Sequence, residues 1–83
     1  KPTATPTQYV GYCRTAAVTI NTYSAMCMDA EYIIGEIPDS TYLYIMGQEY
    51  DSTGRLWSYV ADENGWHKGY VLDSLLLHVS SIP

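Results

Sequence analysis

Residues 33–77 contain four short apolar and aromatic runs separated by turn-forming residues, with no segment of helical period. Pro, Asp, Ser, Asn and Gly, which favour tight turns, occupy the gaps between the runs. This pattern is typical of a small antiparallel β-barrel. The runs are residues 33–37, 42–50, 56–61 and 67–72.

Two further β-prone segments, residues 9–13 and 17–22, precede these runs. In the second, Val18 and Ile20 alternate with polar residues, as in a half-buried strand. Residues 23–32 show no clear alternation and predict a long loop. Its two Met side chains either plug the open end of the barrel or offer an adaptable contact surface.

Asn64-Gly65 is the strongest turn signal, because a type I′ turn needs positive φ at both central positions. We therefore expect a tight hairpin at this point. Residues 73–76 predict one short 3₁₀ turn before an extended segment at residues 77–79. Together the segments predict an all-β fold of five to seven strands.

The two ends of the chain differ in composition from its middle. Residues 1–8 contain two Pro, three Thr and no large apolar side chain, which predicts a Pro/Thr-rich linker. The barrel is expected over residues 9–79, and residues 80–83 are expected to begin a second linker. The first residues do not form a signal sequence, so we expect an internal fragment of a multidomain, exported protein.

Charge and hydropathy exclude two classes of partner. Four Lys and Arg against nine Asp and Glu give a formal charge of −5, which repels phosphate backbones. No stretch approaches the roughly 18 apolar residues that a membrane-spanning helix needs. We expect neither nucleic-acid binding nor membrane insertion.

Cys13 and Cys27 leave two possibilities open, a disulfide or a pair of free thiols. No Cys or His stands near them at metal-ligand spacing, so we predict no metal site and no cofactor. Cys13, Cys27, His67 and His78 are the candidates for nucleophile or base, and no sequence context supports them. We predict a non-catalytic protein.

The order of these elements resembles the bacterial SH3-like (SH3b) domain family over residues 11–77. Residues 18–24 occupy the place of the family's opening Leu-Asn-Val-Arg-Ser-Gly-Pro motif, although the Arg and the Gly-Pro are missing. Residues 33–41 look like its Val-Ile-Gly-x-Leu-x-x-Gly-Thr segment, with Ser40 replacing the turn glycine. The remaining matches are Trp57-Ser58-Tyr59-Val60, Asn64-Gly65, Gly69-Tyr70-Val71 and Ser74-Leu75-Leu76.

The resemblance implies an SH3-like β-barrel from a secreted or cell-surface bacterial protein of the cell wall. It also implies binding of peptidoglycan peptides, often to position a neighbouring hydrolase. The alternative is a spacer or protein–protein interaction domain within a multidomain surface protein. We expect the isolated domain to be monomeric.

The aromatic side chains are the best candidates for ligand binding, because half-buried rings stack on sugars and peptide planes. The alternative is that most of them pack the barrel. Alternation places Trp57 and Tyr59 on one face and Val60 on the other. We predict a ligand groove near the long loop, with acidic residues that pair with ammonium groups. Its residues are Tyr23, Tyr32, Trp57 and Trp66, with Asp29, Glu31 and Asp51 as the acidic partners.

Overall fold

The computed structural model describes residues 9–83, and the predicted linker at residues 1–8 lies outside the described residues. Within this part of the chain the fold is all-β, as predicted, with seven strands and two 3₁₀ turns. Strands β3 to β6 coincide with the four runs seen in the sequence, whereas β1 and β2 begin later than expected. The strands are β1 (Gly11–Thr15), β2 (Ile20–Tyr23), β3 (Ile33–Ile37), β4 (Tyr42–Tyr50), β5 (Leu56–Ala61), β6 (His67–Leu72) and β7 (Leu76–Val79).

One 3₁₀ turn precedes β3 and the other follows β6. Asp73–Leu75 is the turn that the sequence predicts after the last long strand. Ala30–Tyr32 lies inside the predicted long loop and was not expected. Its short length explains the omission, because one turn of helix leaves no periodic signal in the sequence.

The seven strands form one antiparallel sheet in the order β3-β2-β6-β5-β4-β1-β7. In the described residues no ladder joins β3 to β7, so the sheet is open, and the predicted closed barrel is corrected on this point. Closure requires tilt and stagger to be consistent across every strand. Here β2 pairs with β6 through a single residue pair, Tyr23 and Tyr70. Within the described sheet, only this pair joins the β2–β3 hairpin to the ladder of the remaining strands.

One face of the sheet encloses the apolar core. Leu43 and Ile45 enter it from β4 and Val60 enters it from β5, and all three are at most 1% exposed. Trp57 and Tyr59 occupy the opposite face of β5, as the alternation predicts. The full core cluster is Cys13, Ile20, Ile37, Leu43, Ile45, Val60, Val71 and Leu76.

The β4–β5 and β5–β6 hairpins turn through two Asp-x-x-Gly sequences with the same hydrogen bonds. In the second, Gly65 N donates to Asp62 O and Asp62 N donates to Trp66 O, each at 2.9 Å. Asp62 Oδ1 also accepts the backbone N–H groups of Asn64 and Trp66. Only Gly65 of this turn has positive φ, so the type I′ turn predicted at Asn64-Gly65 is wrong. The Asp62 side chain organises a longer turn by binding the backbone two and four residues further on.

Two residues adopt left-handed backbone conformations at close contacts. Ser40 has φ 54°, and its N–H donates to Ala16 O at 3.1 Å. Gly69 has φ 118°, and a Cβ atom there would lie 2.7 Å from Tyr23 O. A residue without a side chain therefore allows β2 to approach β6.

Candidate functional site

An aromatic cleft lies on the face of the sheet opposite the core. Its volume is about 280 Å³, just below the range of roughly 300–1,000 Å³ that encloses drug-sized ligands. The cleft therefore suits one side chain or a short peptide segment. Its lining residues come from β4, β5 and β6 and are Met46, Gly47, Gln48, Glu49, Trp57, Tyr59 and Tyr70.

A β-bulge in β4 forms the floor of this cleft. The register with β5 shifts between Ile45 and Gly47, so Met46 has no partner in the ladder. Gly47 stands opposite Tyr59, and a Cβ atom at Gly47 would meet no heavy atom within 4 Å. The missing side chain beside a half-buried tyrosine leaves the space that forms the cleft.

Two tyrosine rings form the wall of the cleft. Tyr59 and Tyr70 pair across β5 and β6, with ring centroids 5.0 Å apart in an edge-to-face arrangement. His67 packs against Tyr59 at 5.3 Å, and its Nδ1 lies 3.3 Å from the Tyr59 hydroxyl. Rings already held in place lose little conformational entropy when they stack on a ligand.

Trp57 lines the cleft but does not offer an exposed ring. Its side chain is 0% exposed, and the Tyr23 ring packs edge-on against it at 5.8 Å. The Arg55 guanidinium lies 5.9 Å from the centroid of the indole. Trp57 is one of the predicted ligand residues, and other side chains of the same protein bury its ring.

Asp51, another predicted ligand residue, holds the β4–β5 turn together. Its Oδ1 accepts the backbone N–H groups of Thr53 and Arg55 and the Thr53 hydroxyl. Its Oδ2 accepts Arg55 Nε at 3.2 Å and Trp57 Nε1 at 2.8 Å. Hydrogen bonds from Thr53 and Trp57 hold the pKa of this carboxyl well below its usual range. Both carboxylate oxygens are thus bound within the chain.

Trp66, another predicted ligand residue, lies at the opposite end of the β5–β6 hairpin from Trp57. In the β5–β6 ladder Trp57 stands opposite Leu72, whereas Ala61 stands opposite His67 at the other end. Trp66 precedes His67 in the hairpin turn and is 62% exposed. The length of the hairpin therefore separates the two tryptophans, because each residue advances a strand by about 3.3 Å.

The other predicted residues lie in or beside the long loop. Tyr23 is buried at the end of β2, and Tyr32 is half-buried in the first 3₁₀ turn. Asp29 and Glu31 are exposed around that turn, and the carbonyl of Asp29 accepts Tyr32 N at 3.0 Å. The loop touches the β4–β5 turn, since Arg55 Nη1 donates to the Met28 sulfur at 3.5 Å. None of these four residues lines the aromatic cleft.

The two cysteines are free thiols, so the disulfide that the sequence left open is not formed in this structure. Cys13 is buried in the core, and burial, with the nearby charge of Asp73, raises the pKa of its thiol to about 12. Cys27 is half-buried in the long loop. His78 contacts Asp73 Oδ1 at 2.8 Å.

The sequence did not single out Gly47, Glu49, Tyr59 or Tyr70 as residues of a binding site, although all four line the cleft. One signal was present, because a glycine within a strand pattern often marks a bulge. Another was the shared face of Trp57 and Tyr59. The juxtaposition of β4 with β6 across β5 could not be read from a local pattern.

No protein-family profile, curated protein or solved structure matches the chain. In residues 9–83 there is no helix long and apolar enough to cross a bilayer. The same part of the chain contains no group of three or more His, Cys, Asp or Glu side chains placed to hold a metal ion. The aromatic cleft is therefore the feature of the described residues that bears most directly on function.

Proposed function

We propose that the chain is a non-catalytic binding module of a secreted or cell-surface bacterial protein. Its aromatic cleft takes a segment of a cell-wall peptidoglycan peptide. The observation that carries the proposal is the cleft of about 280 Å³ beside Tyr59 and Tyr70. Half-buried tyrosines combine apolar contact area with a hydroxyl that reaches water or a ligand, as binding surfaces require.

The resemblance of residues 11–77 to bacterial SH3-like domains supports the same proposal. The order of turns and strands that carries this resemblance is compatible with the antiparallel sheet, and Ser40 adopts positive φ at the position of the family's turn glycine. A sheet with one apolar face and one aromatic face has room for binding outside its core. Peptide binding needs no reacting side chains, which suits a domain of 83 residues.

The test is retention of the 83-residue chain on purified peptidoglycan sacculi, with and without their anionic polymers, at low and physiological salt. Gly47→Val fills the cleft from a position with open space and is expected to lower retention at least about tenfold, roughly the loss of 1.4 kcal/mol. Gly11→Val is the matched control, because a Cβ atom at Gly11 also meets nothing within 4 Å.

Retention of wild type and the Gly11 variant with loss for the Gly47 variant supports binding in the cleft. Equal retention of all three proteins contradicts it. Circular dichroism of both variants checks that the sheet is intact. No retention of the wild type under any condition overturns the assignment to peptidoglycan.

A second candidate, a protein–protein interaction or spacer domain, is favoured by the edge strand β3. Ile33 and Ile34 are 39% and 58% exposed there, and β3 pairs only with β2 in the described sheet. Edge strands with exposed apolar side chains can accept a strand from a partner. Ile33→Lys would abolish binding to such a partner domain and leave retention on sacculi unchanged.

A further inference from the structure

Glu49 places a carboxylate beside the aromatic cleft. It is exposed at the end of β4 and is the only acidic or basic side chain of the Asp, Glu, His, Lys and Arg types among the residues that line the cleft. It stands opposite Trp57 in the β4–β5 ladder, two residues from Gly47. Side chains two residues apart share a face of a strand, so Glu49 extends from the same face as Tyr59.

Two of the cationic side chains in residues 9–83 form ion pairs with other carboxylates. Arg55 Nε pairs with Asp51 at 3.2 Å, and Lys68 Nζ pairs with Asp62 at 3.6 Å. The third, Arg14, stands opposite Tyr42, at the other end of β4 from Glu49. Within the described chain no ion pair satisfies Glu49.

We propose that the cleft recognises a side-chain ammonium group of a peptide, with Glu49 as the counter-charge and the rings of Tyr59 and Tyr70 as the aromatic wall. This inference rests on the proposed function, because it names the chemical group that the cleft selects. An ammonium ion is attracted to the face of an aromatic ring within about 6 Å. A carboxylate beside the ring adds a charge-assisted hydrogen bond.

The remaining features of the cleft fit this occupant. A lysine-type side chain is slender and apolar along its methylenes, so it can lie over Gly47 and Met46 with its charged end towards Glu49. The chain carries a formal charge of −5, which attracts cations and repels a carboxylate or phosphate ligand. The predicted acidic partner Asp51 is unsuited, because its two oxygens are held by the β4–β5 turn.

The test uses two peptides that differ by one charge, acetyl-Ala-Lys-Ala-amide and the same peptide with its lysine Nζ acetylated. Amide chemical shifts of the isotope-labelled 83-residue protein report binding. The lysine peptide is expected to shift the Gly47, Tyr59 and Tyr70 signals and to bind about tenfold more tightly, as expected for one hydrogen bond to a charged group. Equal affinity for the two peptides, or no binding of either, overturns the inference.

Glu49→Gln keeps the shape of the side chain and removes its charge. It is expected to abolish the preference for the lysine peptide, whereas Glu63→Gln, at an exposed position in the β5–β6 turn, is expected to leave it unchanged. A preference that survives in the Glu49 variant shows that another group provides the selectivity and contradicts the proposal.

Retention on sacculi separates this inference from the proposed function. Wild-type retention that persists in the Glu49→Gln variant leaves the peptidoglycan module in place and overturns the role of the ammonium group. A Glu49-dependent preference for the lysine peptide, with no retention of the wild type on sacculi, supports ammonium recognition and removes peptidoglycan as the ligand.

Discussion

The indole Nε1 of Trp57 donates a hydrogen bond of 2.8 Å to Oδ2 of Asp51, the residue that organises the β4–β5 turn. This bond connects a wholly buried ring on β5 to the turn that precedes the strand. Trp57 also lines the aromatic cleft. The position of Glu49 and of the cleft floor therefore depends on how the turn holds the two strands in register.

The first prediction concerns the two Asp-x-x-Gly turns, which provide a matched pair. Asp62 accepts two backbone N–H groups and pairs with Lys68. Asp51 has the corresponding backbone contacts and an ion pair with Arg55, and in addition it accepts the Thr53 hydroxyl and the Trp57 indole N–H. Asp51→Ala is therefore expected to lower Tm more than Asp62→Ala, because it also leaves the buried indole N–H without its acceptor.

Thermal unfolding followed by circular dichroism measures both changes, and tryptophan fluorescence reports the surroundings of Trp57. An equal fall in Tm for the two variants would show that the indole bond adds nothing to the stability of the turn.

The second prediction concerns acid stability. Hydrogen bonds hold the pKa of Asp51 below its usual range in the folded protein, whereas an unfolded Asp has a pKa of about 3.9. A carboxyl with a lower pKa in the folded state stabilises the fold above the unfolded pKa, and this contribution is lost as pH falls towards the folded pKa. The free energy of unfolding is therefore expected to fall as pH decreases below about 4.

Urea unfolding at pH 7, 4 and 2 measures this dependence. Asp51→Asn is expected to reduce it, whereas the exposed Asp39 changed to Asn serves as the control. An Asp51 variant that loses as much stability in acid as the wild type does would assign the pH dependence to other carboxyls.

The third prediction concerns the close contact between β2 and β6. Gly69→Ala introduces a Cβ atom 2.7 Å from Tyr23 O in a backbone with φ 118°. Positive φ alone costs a non-glycine residue roughly 1–3 kcal/mol, and the contact with backbone adds to it. We expect the free energy of unfolding to fall by about 2 kcal/mol or more. Gly11→Ala, in open space, is expected to change it by less than about 0.5 kcal/mol.

Chemical denaturation of both variants checks this prediction. Comparable stability of the Gly69 variant and wild type would mean that β2 and β6 separate easily, in which case the Tyr23 and Tyr70 pair contributes little.

The fourth prediction concerns thiol reactivity. Cys13 is 0% exposed, and its pKa is raised to about 12, so almost none of it is thiolate at pH 8. Cys27 is half-buried in the loop. A maleimide is expected to label Cys27 more than about a hundredfold faster than Cys13, because both the burial and the raised pKa of Cys13 suppress its reaction.

Peptide mass spectrometry after timed labelling identifies the modified thiol, and labelling in urea provides the unfolded reference. In Cys27→Ser protein the fast phase is expected to disappear. Fast labelling of Cys13 in native protein would contradict its burial in β1.

Local sequence pattern predicted some features of the structure correctly and others incorrectly. The bounds of β3 to β6 follow directly from alternation and turn residues, because side chains on a strand alternate between its faces whatever lies beyond it. The type I′ turn was wrong because the Asp62 side chain binds the backbone and favours a longer turn. The β5–β6 ladder places Trp66 and Trp57 at opposite ends of one hairpin, a separation that the residue types alone did not indicate.

The sequence by itself determined that this protein is all-β, where its longer strands begin and end, and which side of β4 and β5 is apolar. These are local properties, set by side-chain periodicity and turn chemistry. Only the tertiary structure decided that the sheet stays open, that Trp57 and Asp51 satisfy one another, and that Gly47, Glu49, Tyr59 and Tyr70 share a cleft. The open sheet depends on pairing between strands distant in sequence. The Trp57–Asp51 bond and the cleft depend on the exact register of the consecutive strands β4, β5 and β6 and on the bulge in β4, which the alternation of side chains does not fix.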